Sequence, residues 1–230
     1  MKVDIWSDIV CPFCYIGSTQ FNSALKNFSH KDDITVVYHS FELDPSAPKH
    51  SEDTLHQMLA KKKGMTVQQA KSLNQQVTAS AAAEGLHYDL DHAKPINSFD
   101  AHRLIHFAAA HGKQVQMFER LYAAYFTEAQ NIADVDTLCR LAKEVGLDTK
   151  KARAVLVGDD YSQEVHADIA KAAGYGIQGV PFFVIDDTYG ISGAQGVPIF
   201  SQALQAAWHE THPIKMMGDQ TVNVCQDGVC

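Results

Sequence analysis

Strand-like sequence is confined to the two ends of this 230-residue chain, and everything between them is helical in pattern. "KVDIW" near the start alternates apolar and polar residues, with Val3 and Ile5 on one face. "ITVVYHSFEL" is β-branched and aromatic and stops at the turn-forming "DPSAP". Strand character then vanishes until "GVPFFVIDD", followed by "TYGISGAQG" as the partner of a hairpin. The first forty-odd residues read strand, helix, strand, which suggests a parallel crossover unit. The block between the two ends looks like a helical lid inserted into that smaller fold.

Residues 51–174 carry the helical signals. "DTLHQMLAKKKG", "TVQQAKSLNQQVTASAAAEG" and "SFDAHRLIHFAAAHG" each end on a glycine stop, and the last has Ser98 as its cap. "KQVQMFERLYAAYF", "ADVDTLCRLAKEVG" and "DDYSQEVHADIAKAAGYG" continue the series. The expected architecture is α/β. Residues 1–50 and 175–211 form a discontinuous unit around an all-helical insertion at 51–174. Residues 212–230, with little periodicity, form a flexible tail.

Composition narrows the function. Apolar residues make up 46% of the chain, enough for a core without a disulfide framework. The net charge of −8 argues against a phosphate-backbone partner, which selects for a basic footprint. No apolar run approaches the ~18–20 residues of a membrane span. "MKVDIWSDIV" does not read as a signal peptide, because Asp4 and Asp8 interrupt its apolar run. A chain starting naturally at Met1 is expected to stay in the cytoplasm, where thiols are kept reduced.

Against that background the cysteine spacing matters. There are five cysteines, and two of them sit in "VCPFCY" directly after the first strand. "PFCYIGSTQFNSALKNF" reads as a helix with Pro12 in its first turn, where a missing N–H is harmless. Cys11 then lies at the helix N-terminus and Cys14 one turn in, near enough to bridge after a modest local adjustment. Unpaired N–H groups and the helix dipole favour negative charge at Cys11, which makes it the expected nucleophile. Cys14 is the expected resolving thiol, able to break a mixed disulfide. A zinc site would need a second ligand pair at matching spacing, and neither the widely spaced Cys225 and Cys230 nor the scattered histidines supply one, so no metal is expected.

Pro181 opens the "GVPFFVI" strand, a place where proline is tolerated only at an edge or a turn. CxxC at a strand-to-helix junction followed far downstream by such a strand resembles the thioredoxin superfamily. That resemblance implies a cis Val180–Pro181 bond whose exposed backbone binds an extended substrate. The chain as a whole resembles the DsbA family, with greatest similarity to its cytoplasmic FrnE-type branch. "SDIVCPFCYIG", "NSFDAHRLIHFA", "GVPFFVIDDTYGISGAQ" and the terminal "CQDGVC" carry the likeness. It implies a thioredoxin fold interrupted by a helical domain. The implied activity is thiol–disulfide exchange with protein clients, with no bound cofactor, no membrane or nucleic-acid partner, and glutathione as an admissible redox partner. It also implies that Cys225 and Cys230 serve as an accessory redox pair. Asn97, Ser98, Ala101, His102 and Arg103 match a family pattern that either lines the groove or ties the two units together. Ser192–Gln195 occupies the turn where related glutathione-binding enzymes hold the γ-glutamyl group; otherwise it is a hairpin end.

Two rival functions follow from the same fold. Glutathione-dependent isomerases of the 2-hydroxychromene-2-carboxylate type resemble this chain but carry serine at the position of Cys11. A peptide-binding chaperone would use the groove and need no thiol. Cys139 shares an apolar helical face with Val135, Leu138 and Ala142 and is expected to be buried and inert. The histidines, mostly on helices, read as solvated; His39, after a buried strand, is the one expected near the core.

Overall fold

The computed structural model describes residues 1–213. The strands from both ends of the chain meet in one four-stranded sheet of order β2-β1-β3-β4. β1 (Lys2–Ser7) runs parallel to β2 (Thr35–Ser40), and α1 (Pro12–Lys26) is the crossover between them. β3 (Phe182–Ile185) lies antiparallel to β1, pairing Ile5 with Phe183, and β4 (Tyr189–Ser192) closes the hairpin. Because β1 is central, five of its six residues are buried and both of its faces are covered. Val3 and Ile5 face Phe21, Phe183 and Phe200, which bring in α1 and the final helix α9 (Val197–Thr211). The rings of Phe183 and Phe200 meet edge-on at 4.6 Å.

The other face of the sheet was not legible in the pattern. Trp6 and Val184 pack there against Ala172 of α8 (Ser162–Gly174) and against Ile177. The last helix of the 51–174 stretch thus covers the sheet, instead of packing only among helices. His39 and Asp4 pair on that side, and Asp168 of α8 reaches back to His39.

The remaining helices are α2 (Leu55–Lys63), α3 (Val67–Ala83), α4 (Phe99–Ala109), α5 (Gln114–Tyr122), α6 (Val135–Glu144) and α7 (Thr149–Val157). Thr54 with Gln57 and Thr66 with Gln69 form capping boxes that fix the starts of α2 and α3. Gly64 ends α2 in the left-handed region, φ 63°, where a side chain would be strained. α4 is buried along most of its length and forms the axis of the helical layer. The "MFERLYAAYF" run is one helix in pattern, yet it loosens into a π-turn at Ala123–Thr127. The Gln114 side chain donates to the Tyr38 carbonyl and accepts from the Tyr38 N–H. It occupies the open edge of β2 as a strand would and so blocks edge pairing.

Candidate active site at the start of α1

The local sequence places both sulfurs. β1 ends at Ser7, and the Cys11 N–H turns back to the Asp8 carbonyl at 3.1 Å. Cys11 takes the N-cap position with extended backbone, Pro12 is the first helical residue, and the Cys14 N–H donates to the Cys11 carbonyl at 3.0 Å. Cys11 is 4% exposed and Cys14 fully buried. The neighbouring Phe13 is 46% exposed and stands out toward solvent.

Burial pushes the Cys14 thiol well above the ordinary range. A hydrogen bond to Cys11 and repulsion from it push the same way, while the Ser7 hydroxyl and the Asp8 backbone N–H act weakly against them. Cys14 therefore keeps its proton at neutral pH and can donate it toward the Cys11 sulfur.

The downstream strand arrives beside this pair. The Val180–Pro181 peptide is cis, and the Cys11 thiol donates to the Val180 carbonyl at 3.4 Å. The Gly193 N–H donates to the Pro181 carbonyl at 2.8 Å, and Gln195 closes the turn onto Ser192. Gly17 explains how the strand comes so close: a Cβ there would stand 3.0 Å from Pro181 Cγ and 3.6 Å from Ala194 Cα. Gly17→Ala is expected to lower stability by about 1–3 kcal/mol, the cost of overpacking, even though alanine is the better helix former. A urea unfolding midpoint at or above wild type would show that the contact relaxes freely.

Aromatic side chains from the helical layer cover the other side of α1. The Tyr88 hydroxyl donates to the Pro12 carbonyl at 2.7 Å. Burial, and then the two cysteines and Tyr15, drive the Tyr88 hydroxyl far above its ordinary range, so it stays a donor. Tyr15 stacks on Tyr122 at 4.8 Å, and the Tyr122 and Ser7 hydroxyls share a 2.5 Å hydrogen bond. A cavity of about 360 Å³ lined by Tyr15, Ser18, Asn22, Tyr38 and Phe118 runs along α1, but neither Cys11 nor Cys14 lines it. The cysteines sit where the start of α1 meets the Val180–Pro181 segment that leads into β3.

The structure brings Cys11, Cys14, Val180 and Pro181 together. Cys225 and Cys230 lie outside the described residues. Cys139 is buried in α6 at 2% exposure, as its helical face suggests. The expectation that the helix histidines are solvated fails for His102, which is fully buried, and for His56, which is 7% exposed. Both have local acids: His102 faces Asp8, and His56 faces Asp91 at 2.7 Å. In the 97–103 pattern, Asn97 donates to the Pro45 carbonyl, and Arg103 donates to the Val155 carbonyl in the last turn of α7, to the Gly158 and Asp160 carbonyls just after it, and to Asp100. Only His102 reaches the cysteine loop, through Asp8. Asp8 and Tyr88 escaped the sequence reading because a lone acid and a lone tyrosine have no spacing to betray them. Among the described residues, no group of three or more histidine, cysteine or acidic side chains is arranged to hold a metal.

A CxxC pair at a helix N-terminus, set against a cis-proline strand on a thioredoxin-type sheet, is the arrangement of a dithiol oxidoreductase fold. The family model for the DSBA-like thioredoxin domain matches residues 2–205, and the chain belongs to that family. It is 33% identical over 209 residues to YwbO of Bacillus subtilis (strain 168), covering 89% of this chain and 96% of that protein. A probable DsbA oxidoreductase from Streptomyces coelicolor superposes with a TM-score of 0.88 at 42% identity, covering 94% of each chain. The cytosolic disulfide reductase DsbM of Pseudomonas aeruginosa shares the fold, with a TM-score of 0.65 at 15% identity, covering 91% of this chain and 100% of that one. DsbM has also been solved with GSH.

Proposed function

We propose that this protein is a cytoplasmic thiol–disulfide oxidoreductase working through Cys11 and Cys14. The observation that carries the reading is the fully buried Cys14 thiol one helical turn from Cys11, with the Cys11 sulfur against the Val180 carbonyl. In the reducing direction the Cys11 thiolate attacks a client disulfide. A Cys11–client disulfide forms and one client thiolate leaves. Cys14 then loses its proton and attacks the Cys11 sulfur, a Cys11–Cys14 disulfide forms, and the second client thiolate leaves. Two electrons pass from the dithiol to the client, and the reverse sequence oxidises a client dithiol.

Clients are proteins bearing disulfides or thiols, and Val180–Pro181 holds their extended backbone beside Cys11. Glutathione is the candidate small redox partner; the GSH-bound structure of DsbM, a protein of the same fold, supports it. The cytoplasmic assignment is supported by DsbM being cytosolic, and no helix among the described residues is long and apolar enough to cross a membrane. Cys225 and Cys230 are proposed as a pair that exchanges electrons with Cys11–Cys14. An intact dithiol favours this chemistry over the serine-based isomerase reaction.

The test is equilibration of the purified protein with glutathione buffers of graded ratio, followed by acid quenching and mass analysis of the alkylated products. One intramolecular Cys11–Cys14 disulfide, with a defined midpoint, is the expected result. A midpoint more reducing than the cytosolic pool marks a reductase, and a more oxidising one an oxidase or isomerase. Absence of that disulfide at every ratio would remove the proposed activity.

A further inference from the structure

Asp8 is the residue through which the cysteine loop is built, and it is fully buried. Its carbonyl accepts from the Cys11 N–H at 3.1 Å, and its backbone N–H eases ionisation of the Cys14 thiol, a minor influence beside burial. Its carboxylate is bonded through both oxygens. One oxygen accepts from the Leu43 N–H at 2.8 Å, and the other from the Val10 N–H and from His102 Nε2, both at 3.4 Å. A main-chain bond to Cys11 and a side-chain bond to the helical layer meet in this one residue.

His102, on α4, is also fully buried, and its Nδ1 has no hydrogen-bond partner among the described residues. A proton on Nδ1 would be a buried donor with no acceptor, a costly arrangement. The geometry therefore places the proton on Nε2, and the ring donates to Asp8. The other acid near His102 is Glu42, whose carboxyl burial pushes up, with His166 beyond it. Asp100 and Arg103 serve a different purpose, since they bind Lys49 and the chain around the end of α7.

We propose that His102 is a positioning residue for the dithiol: its hydrogen bond holds Asp8, and Asp8 in turn sets the dithiol–disulfide equilibrium of Cys11 and Cys14. This deepens the thiol–disulfide reading above and rests on it. The direction follows from the sulfur chemistry. The Asp8 carbonyl fixes the Cys11 N–H and so keeps the Cys11 sulfur against the Val180 carbonyl, where a thiol donates a proton that a disulfide sulfur does not have, so the correctly held loop favours the reduced pair. Loosening it shifts protein dithiol plus oxidised glutathione toward protein disulfide plus two reduced glutathiones.

The experiment compares wild type, His102→Gln and His102→Leu in the full chain, by glutathione equilibrium constant and by the rate of Cys11 alkylation at neutral pH. Glutamine places an amide N–H where Nε2–H stood; leucine places none. His102→Leu is expected to move the equilibrium about fivefold or more toward the disulfide, the scale of one ordinary hydrogen bond, and His102→Gln to stay within about twofold. A folded His102→Leu protein with the wild-type constant overturns the proposal, and so does a glutamine variant displaced as far as the leucine one. Should His102→Leu fail to fold, Asp8→Asn is read in its place, and an unchanged constant there overturns the proposal equally. Should wild type form no Cys11–Cys14 disulfide, the oxidoreductase reading fails. The His102 proposal falls with it, whereas a wild-type disulfide whose constant and Cys11 alkylation rate are unmoved in folded His102→Leu overturns the His102 proposal alone.

Discussion

Cys14→Ser should convert the protein into a trap. With the second thiol gone, attack by Cys11 on a disulfide still forms the mixed disulfide, but nothing buried beside it can displace the client. Adducts should then accumulate when the reduced variant meets a disulfide-bearing protein, and they should collapse on adding dithiothreitol. Cys11→Ser should form none, and steady-state turnover in both variants should fall to the uncatalysed background. The asymmetry follows from the structure. Cys14 is fully buried with its thiol held protonated, while Cys11 sits at the helix N-terminus against the Val180 carbonyl. The same asymmetry predicts that, in the reduced wild-type protein at neutral pH, a small alkylating reagent labels Cys11 much faster than Cys14 or Cys139. Adducts through Cys14 in a Cys11→Ser background, or equal labelling of the two, would reverse the assignment of roles. Undiminished client protection from aggregation by Cys11→Ser, with redox turnover lost, would favour the chaperone reading of the groove.

How much of this site was written in the sequence depends on the kind of interaction. Covalent spacing and backbone chemistry are local, and they were legible. CPFC after an apolar strand placed both sulfurs at the start of α1. Pro181 ahead of "FFVI" marked the strand that meets them, and the helical middle fell between the two halves of the sheet. Long-range pairings of single polar residues were not legible. Asp8 and His102 are 94 positions apart and belong to no joint pattern. Tyr88 reaches Pro12 across 76 positions from an irregular connection. α8 has an ordinary amphipathic pattern, and no periodicity says whether its apolar face meets a helix or a sheet. Gly17 looked like a weak point in a helix; only the Pro181 ring beside it shows why a side chain there is crowded.

The largest stability effect should arise at the charge cluster on the second face of the sheet. His39 presents one ring nitrogen to Asp4 and the other to Asp168, the latter at 2.6 Å. Asp168 also accepts from the Ser40 N–H at 2.8 Å and meets His106 Nε2 at 3.1 Å. The Trp6 indole donates to the Asp168 carbonyl, and its ring stacks on His39 at 4.5 Å. Burial by itself raises the Asp168 carboxyl, but the hydrogen bonds from His106 and His39, the His39 charge and the Ser40 N–H outweigh it. The group is held far below the ordinary carboxylate range. Asp4 is also lowered: burial opposes the shift, and Lys2, His39 and Lys171 produce it. A carboxyl lowered on folding contributes stability that is complete above its unfolded value of about 3.9 and is lost as pH falls through the folded value. Asp168→Ala strands His39, His106 and the Ser40 N–H, so at pH 7 it should cost about 3–5 kcal/mol, or roughly 10 °C in Tm for a chain of this size. Below about pH 3 the wild type loses part of the same contribution, and the gap between the two proteins should narrow. Urea unfolding at pH 7 and pH 3 measures both gaps. A difference under about 1 kcal/mol at pH 7, the scale of an exposed pair, would mean that α8 is held by its apolar contacts alone. The cluster touches neither cysteine, so the Cys11 alkylation rate of the folded Asp168→Ala protein should match wild type, which separates anchoring of α8 from the chemistry at the start of α1.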